Sequence, residues 1–282
     1  MASHASSPPS AEAITRASRS NLALAFIALP KERREAITTF YAFCRIIDDI
    51  ADDPGIPLEE RERQLNDWKK AVCVPFEGEP TLAATVRELI AAWRLRENWF
   101  IEIINGCEMD LRHEPYPNFE ALRLYCYRVA SVVGLVSIEI FGYQNEATRR
   151  YAVDLGYALQ LTNIIRDVAK DLANDGRIYL PADELERFGI TRDDLLHRKG
   201  GPRFVEMMAF QAERAEHFYR KAVGQLPPED RHSMIAAEIM RNVYHRLLGK
   251  IRRDRFRVFD RFHRLGKLEK IAIVLLVRMG VL

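Results

Sequence analysis

Residues 160–171 read QLTNIIRDVAKD, and this stretch decides the fold class. Asn163, Asp167 and Asp171 recur at intervals of four, which places them on one face of an α-helix. The surrounding run, 146–172, is rich in apolar residues at helical spacing. A helix this apolar is expected inside a bundle, because no wide face of it is suited to water. The stretch therefore predicts a largely buried helix that presents a stripe of oxygen-bearing side chains.

Almost every other segment carries the same helical period. Apolar spacings of three and four predict helices over 31–51, 58–74, 81–94, 97–111, 119–141, 203–226, 231–256 and 265–279, with two short helices between 182 and 198. The sequence shows no hairpin pattern, no alternating pattern of useful length and no internal repeat. We therefore predict a disordered tail over residues 1–12 and a single all-α domain over residues 13–282.

Composition limits the classes of function. The chain has 282 residues, of which 48% are hydrophobic and 29% charged, as in an ordinary globular protein. Its 42 basic and 40 acidic residues give a net charge of +2, without the basic excess of a protein that coats nucleic acid. The four cysteines form no C-x-x-C pair and predict free thiols in a reducing compartment. The first residues lack the apolar stretch of a signal peptide. We predict a cytoplasmic protein with at most peripheral membrane contact and no nucleic-acid partner.

A second acidic stripe lies near the start of the chain, where residues 45–53 read RIIDDIADD. Asp48 and Asp52 share one helical face, and like charges at that spacing cost a few tenths of a kcal/mol when exposed. Carboxylate and amide oxygens are ligands of a hard cation, Mg²⁺ before Zn²⁺, and Mg²⁺ shares its remaining positions with water and phosphate. A single such stripe is usually a solvated helix face or a helix end. Two of them, each on an apolar helix beside an arginine, predict several Mg²⁺ ions that clamp a diphosphate.

Basic and aromatic residues accompany both stripes. Arg45 and Arg166 adjoin the aspartates, and Arg177 and Tyr179 follow in the loop 176–181. Arginine forks match phosphate oxygens and tyrosine hydroxyls can donate to them, although internal ion pairs would explain the arginines equally well. No zinc-binding spacing, G-x-S-x-G elbow, G-x-G-x-x-G turn or P-loop is present. The many aromatic and aliphatic residues fit either a core or a tunnel for an apolar ligand.

At these motifs the sequence resembles the squalene/phytoene synthase family. The matching pieces are YAFCRIIDD at 41–49, YCYRVA at 125–130, the stretch 160–171 and GRIYLP at 176–181, within a similarity that runs from about residue 18 to about residue 261. Among relatives the chain looks most like the bacterial presqualene diphosphate synthases of hopanoid biosynthesis. One departure is Ser131, where many members have glycine. The resemblance implies an isoprenoid-synthase-type helical bundle with a central active-site cavity.

The resemblance also implies roles for individual residues. The Mg²⁺ ligands that it implies are Asp48, Asp52, Asn163, Asp167 and Asp171. The implied diphosphate or substrate contacts are Ser18, Ser20, Asn21, Tyr41, Arg45, Gln160, Arg166, Arg177, Tyr179, Tyr244 and Arg261. Tyr125 matches the catalytic tyrosine of the family, and Tyr41 and Arg45 are expected to assist it.

The implied reaction is the head-to-head condensation of two farnesyl diphosphates to presqualene diphosphate, with release of diphosphate. Phytoene synthase and squalene or dehydrosqualene synthase are alternatives with the same kind of metal site. A head-to-tail prenyltransferase or a terpene cyclase is more distant, because chain-length synthases typically carry D-D-x-x-D in both motifs. A non-catalytic helical assembly factor is a further alternative, which the intact ligand set disfavours. NADPH is not expected as a cofactor, and a downstream squalene-forming enzyme is an expected partner.

Overall fold

The computed structural model describes residues 25, 26, 28–112, 114–174 and 176–282. Within these ranges the chain is helical and contains no strand, so the predicted all-α class is confirmed. The predicted tail over residues 1–12 lies outside the described residues, and the single domain over 13–282 stays a prediction. The helices are α1 Lys31–Asp52, α2 Leu58–Cys73, α3 Ala83–Trp93, α4 Glu97–Leu111, α5 Phe119–Cys126, α6 Val132–Phe141, α7 Ala147–Ala173, α8 Ala182–Arg187, α9 Arg192–Leu196, α10 Pro202–Gln225, α11 Ile235–Arg253 and α12 Lys267–Arg278.

The observed helices lie close to the predicted ones, with two informative differences. The helix predicted over 119–141 contains a π-helical turn, Tyr127–Ser131, between α5 and α6. The helix predicted from residue 231 begins instead at Ile235, because a 3₁₀ turn, Pro228–Asp230, precedes it. Apolar spacing predicts neither feature, since both π and 3₁₀ turns arise from a change in backbone hydrogen bonding.

The chain forms two compact units, one that ends at Leu111 and one that comprises Arg112–Leu282. In the first unit α1 packs against α2, α3 and α4. Aromatic residues fill this contact, with the ring centroid of Phe43 lying 5.5 Å from that of Trp68 and 5.1 Å from that of Phe100. Edge-on and tilted pairs at these separations stabilise a core beyond the area they bury. The apolar face of α1 is thereby fixed against its neighbours.

In the second unit α7 is the central helix. It packs against α5, the π-helical turn, α6, α10 and α11, while α12 packs against α11. The hydroxyl of Thr162 lies 3.0 Å from that of Tyr219 on α10, which joins two buried polar groups beside the predicted ligand stripe. Burial on so many sides agrees with the apolar composition of the helix. The stripe is therefore held on the central helix of this unit.

The π-helical turn packs unusually close to α7 at Gly156. A Cβ atom on Gly156 would lie 2.5 Å from the Cα atom and 2.6 Å from the backbone nitrogen of Ser131, so only glycine fits. Ser131 is itself fully buried and donates from its Oγ atom to the carbonyl of Val153 at 2.8 Å. The residue that departs from the family pattern thus ties the turn to α7. This turn begins two residues after Tyr125.

The segment Phe119–Phe141 is long and apolar enough, by length and composition, to cross a membrane. Half of its most apolar window is buried, and its helices pack against α7. A core helix of a globular protein meets the same criteria. Packing against α7 accounts for the composition of this segment.

Candidate active site

The stripe on α7 contains a polar atom without a partner. Asn163 donates from its Nδ2 atom to Oε1 of Gln160 at 3.3 Å. Its Oδ1 atom is buried and accepts no hydrogen bond from the described residues. Such an atom costs about 1–3 kcal/mol unless a ligand satisfies it. An amide oxygen in this position is suited to coordinate a cation. The bond between Gln160 and Asn163 brings these two residues together, as the sequence predicts.

Arg166 and Asp167 form a largely buried ion pair next to this oxygen. Arg166 donates from Nε to Oδ1 of Asp167 at 2.6 Å, and its Nη2 atom donates to the other carboxylate oxygen. Only 16% and 11% of the two side chains are exposed. Burial opposes the charge on Arg166, but the bonds to Asp167 and the nearby Tyr244 raise the pKa of the guanidinium above its ordinary value. The pair holds the guanidinium of Arg166 as a fixed positive charge, and its planar fork is of the kind that matches phosphate oxygens.

Two aromatic residues join Arg166 from later in the chain. Tyr244 on α11 lies near Arg166 and helps to raise the pKa of its guanidinium, as expected for neighbouring members of one site. The ring of Phe262 lies 5.5 Å from the Cζ atom of Arg166, within the range of a cation–π contact. The sequence did not predict Phe262 as a site residue, because it follows α11 in a segment without helical period. Its adjacency to Arg261 was the only signal.

The loop after α7 returns to the stripe. The backbone nitrogen of Arg177 donates to the carbonyl of Asp171 at 3.1 Å, and the Arg177 side chain is buried. Asp171, Arg177 and Tyr179 line one small pocket, together with Ile164 and other apolar residues. Three residues predicted from two separate motifs thus lie together. The pocket combines a carboxylate, a guanidinium and an apolar wall.

The predicted catalytic residue, Tyr125, belongs to a cluster of three tyrosines. The ring centroid of Tyr125, which is buried, lies 5.1 Å from that of Tyr179 and 5.6 Å from that of Tyr116. The rings of Tyr116 and Tyr179 are stacked 6.0 Å apart. Backbone bonds from Ala182 to Tyr116 and from Asp183 to Pro117 fix the two loops that carry these rings. The sequence did not predict Tyr116 as a site residue, because it lies between two prolines and belongs to no recognised motif.

Arg261 pairs with Asp254 and not with the Arg166–Asp167 pair. Its Nη1 atom is 3.8 Å from Oδ1 of Asp254, and it lines a cavity of about 410 Å³ with Phe262 and His263. His263 donates from its Nε2 atom to Oδ2 of Asp254 at 2.9 Å. The neighbour of Arg261 in sequence, Phe262, is the residue whose ring lies against Arg166. The predicted contact of Arg261 with substrate stays a prediction.

The first unit carries the other predicted stripe, on α1. Arg45 donates from Nη1 to Oδ2 of Asp48 at 2.9 Å and from Nη2 to Asp49, in half-exposed pairs. Partial burial opposes the charge of Arg45, yet the two aspartates and Tyr41 raise the pKa of its guanidinium. These contacts bring Tyr41, Arg45 and Asp48 together as predicted.

The stripe on α1 also faces α4. The thiol of Cys107 has a pKa raised well above its ordinary value, first by burial and then by the charges of Asp48, Asp110 and Asp52. Asp48 and Asp52 on α1 thus lie close enough to Cys107 on α4 for their charges to act on its thiol. The sequence predicted the shared face of Asp48 and Asp52, and the packing of α1 on α4 gives that face its surroundings.

The predicted magnesium ligands can be judged by their chemistry. Across the described ranges, no group of three or more His, Cys, Asp or Glu side chains is arranged to hold a metal ion. Mg²⁺ usually takes only one or two carboxylates and completes its shell with water and substrate phosphate. The buried Oδ1 of Asn163 beside Asp167 fits that mode of binding. Ser18, Ser20 and Asn21 lie outside the described residues.

These features define an all-α enzyme of the isoprenoid-synthase fold. A family model described as "Squalene/phytoene synthase" matches residues 15–269. The chain belongs to the squalene/phytoene synthase family, and it is a prenyltransferase-type enzyme.

Individual relatives agree with this assignment. The chain is 37% identical to a presqualene diphosphate synthase of Zymomonas mobilis over 87% of its own length and 84% of the relative. It is 35% identical to a phytoene synthase of Mycobacterium bovis, over 93% and 87% of the two chains. A crystal structure of a dehydrosqualene synthase in complex with ligand superimposes with a TM-score of 0.82 at 27% identity, over 96% of this chain and 95% of that one.

Proposed function

We propose that this enzyme condenses two farnesyl diphosphates head to head to presqualene diphosphate and releases diphosphate. The observation that carries the proposal is the stripe on α7, where the unpartnered Oδ1 of Asn163 adjoins the buried Arg166–Asp167 pair. An oxygen ligand and a fixed guanidinium on one helix suit a substrate whose charge lies in a diphosphate. The similarity to a presqualene diphosphate synthase supports the choice of product.

The oxygen-bearing stripes would hold Mg²⁺. Asn163, Asp167 and Asp171 are the proposed ligands on α7, and Asp48 and Asp52 are those on α1. Bound there, Mg²⁺ would supply Lewis-acid stabilisation of the leaving diphosphate. Arg45 and Arg166 are already paired with aspartates of these stripes, so each can exchange an aspartate contact for a phosphate oxygen without a large movement.

The proposed reaction requires the protein to stabilise charge and to exclude water. The carbon–oxygen bond of one substrate ionises, which gives diphosphate and an allylic cation. The double bond of the second substrate attacks that cation, and loss of a proton closes the cyclopropane ring. The stacked rings of Tyr125 and Tyr179 offer π faces to a cation in a buried setting. The Tyr125 hydroxyl is the proposed group that guides the proton or the departing diphosphate.

Phytoene synthase is the second candidate function. The relative from Mycobacterium bovis matches a larger share of the chain at nearly the same identity as the presqualene diphosphate synthase. The two reactions start from the same head-to-head step and differ in substrate length and in the later rearrangement. Tunnel length, which apolar side chains set, is the property that separates them.

The decisive measurement is the identity of the reaction product. Purified enzyme would be incubated with farnesyl diphosphate and Mg²⁺, with and without NADPH, and separately with geranylgeranyl diphosphate. Mass spectrometry of the extracts should detect presqualene diphosphate and no gain of squalene when NADPH is added. Abundant squalene would assign a squalene synthase, and phytoene from geranylgeranyl diphosphate would assign a phytoene synthase. No product with either substrate would contradict the proposal as a whole.

Cellular placement follows from the proposed product. We propose a cytoplasmic enzyme that passes its product to a squalene-forming partner, because presqualene diphosphate still carries a diphosphate that a later reductive step must remove. Its long apolar tail favours transfer at a membrane surface over transfer through water.

A further inference from the structure

Helix α12 has two apolar faces, and only one of them is packed. Ile273 and Val277 are buried, on the side where α12 contacts α11. On the opposite side Leu268 is 83% exposed, and Ile271, Leu275 and Met279 are each at least 50% exposed. The outward face of a surface helix is normally polar. Here it is as apolar as the inward one.

The exposed residues form one continuous stripe. Positions 268, 271, 275 and 279 are separated by three and four residues, which stacks their side chains along a band about 100° wide. Val281 is also exposed and extends the same end of the helix. We name this surface, made of Leu268, Ile271, Leu275 and Met279, the α12 stripe. Single exposed apolar side chains are common on protein surfaces, but four that line up on one face of a helix form a patch that needs an explanation.

Positive charge borders the α12 stripe. Lys267 and Arg278 are exposed and lie at one edge of the stripe on the helical projection. Glu269 is the sole acidic residue of α12. Its Oε2 atom accepts a hydrogen bond from the backbone nitrogen of Gly266 at 2.7 Å and lies 3.6 Å from Nζ of Lys250. Beyond the start of the helix, Lys250, Arg253 and Arg264 line the cavity of about 410 Å³ described above. The apolar band therefore has a basic border along one edge.

We propose that the α12 stripe docks this enzyme on the surface of a bilayer that contains anionic phospholipids. The stripe enters the boundary between headgroups and acyl chains, and Lys267 and Arg278 remain at the level of the lipid phosphates. A second copy of the chain is a poorer occupant. A two-fold interface through this face would bring each basic edge close to its own copy, without acidic partners. The proposal stands on α12 alone and goes beyond the proposed reaction.

Sedimentation with vesicles tests the docking surface. The full chain would be mixed with vesicles of phosphatidylcholine alone or of phosphatidylcholine with phosphatidylglycerol, at low and high salt. We expect binding to the anionic vesicles that weakens with salt, and little binding to the neutral ones. The double variant L268E/L275E should lose binding. The double variant K267Q/R278Q should bind about 25-fold more weakly, since each basic residue contributes about fivefold in affinity.

A matched control separates the stripe from exposed apolar residues in general. Val223 on α10 is 51% exposed, close to the value for Leu275, so Val223→Glu should bind vesicles as the unchanged chain does. Melting temperatures of both glutamate variants should match that of the unchanged chain, because the altered side chains face outward. Turnover of detergent-dispersed substrate should also stay unchanged, which keeps this test independent of the proposed reaction.

Three results would overturn the proposal. The first is the absence of binding to anionic vesicles, and the second is binding that L268E/L275E leaves intact. The third is a dimer, measured by light scattering, that L268E/L275E dissociates, because a second copy would then cover the stripe.

Discussion

Asn163 donates from its side-chain nitrogen to Oε1 of Gln160, less than one helical turn earlier, at 3.3 Å. This bond fixes the amide so that Oδ1 of Asn163 is buried without a partner among the described residues. A fold does not gain stability from that arrangement, because an unsatisfied buried acceptor is unfavourable. The arrangement is explained if a ligand completes it.

Asn163→Leu should therefore separate stability from activity. The substitution removes the unsatisfied oxygen and keeps a similar volume, so the free energy of unfolding should stay equal or rise. Turnover should fall on the order of 100-fold or more, since a lost metal ligand removes several kcal/mol of charge stabilisation. Urea denaturation and product assays measure the two effects. The neighbour Thr162→Val is the control, which loses the bond to Tyr219 and should reduce stability more than turnover.

Arg166→Leu should destabilise the second unit through Asp167. Removal of one partner leaves the other charge buried, which typically costs about 3–5 kcal/mol. The double variant R166L/D167L should recover most of that stability, because neither charge is then left unpaired. Both variants should be inactive. Urea titrations followed by circular dichroism give the comparison, and equal stability of the single and double variants would mean that Asp167 finds another partner.

Tyr125→Phe tests the hydroxyl apart from the ring. The stack with Tyr179 and Tyr116 depends on the ring alone, so the melting temperature should stay within a few degrees. We expect turnover to fall strongly, on the order of 100-fold, as for loss of a group that guides proton transfer. Tyr116→Phe, in the same cluster, should reduce turnover only a few-fold. Equal activity of both variants and the unchanged enzyme would assign Tyr125 to the core.

Gly156→Ala should destabilise the contact between α7 and the π-helical turn. The added Cβ would meet backbone atoms of Ser131 at 2.5 and 2.6 Å, which no side-chain rotation relieves. Overpacking of this kind costs about 1–3 kcal/mol or more. Gly224→Ala is the control, since a Cβ there meets nothing within 4 Å and alanine favours a helix by up to about 1 kcal/mol. Chemical denaturation should move the two variants in opposite directions.

Stability at low pH should depend on Asp230. Its burial opposes the charge, but bonds from the Thr148 hydroxyl and from the backbone nitrogens of Gln144 and Asn145 lower the pKa of the carboxyl below its ordinary value. A lowered folded-state pKa adds stability above the unfolded value of about 3.9, and that stability is lost as pH falls through the folded value.

Asp230→Asn should remove this part of the pH dependence. The variant should be less stable at pH 7 and should lose less stability than the unchanged chain as pH falls below about 4. Urea midpoints at a series of pH values measure the difference. Parallel curves for the two proteins across this range would contradict the assignment to Asp230.

The sequence by itself determined the helical class, most helix limits and the two polar stripes. These are properties of spacing along one helix, so Asn163, Asp167 and Asp171 could be placed on one face of α7 without any knowledge of their neighbours. The basic and aromatic residues of the following loop added Arg177 and Tyr179, which the fold does bring to Asp171.

Only the tertiary structure decided which side chains meet across elements. Tyr116 and Phe262 join the site from loops that have no periodic pattern, and the orphaned oxygen of Asn163 exists only because α7 is enclosed by its neighbours. The same holds for α12, where apolar spacing cannot tell which of two apolar faces will find a partner. Burial is a property of the packed chain, because it depends on contacts between residues distant in sequence, and local spacing carries no information about those contacts.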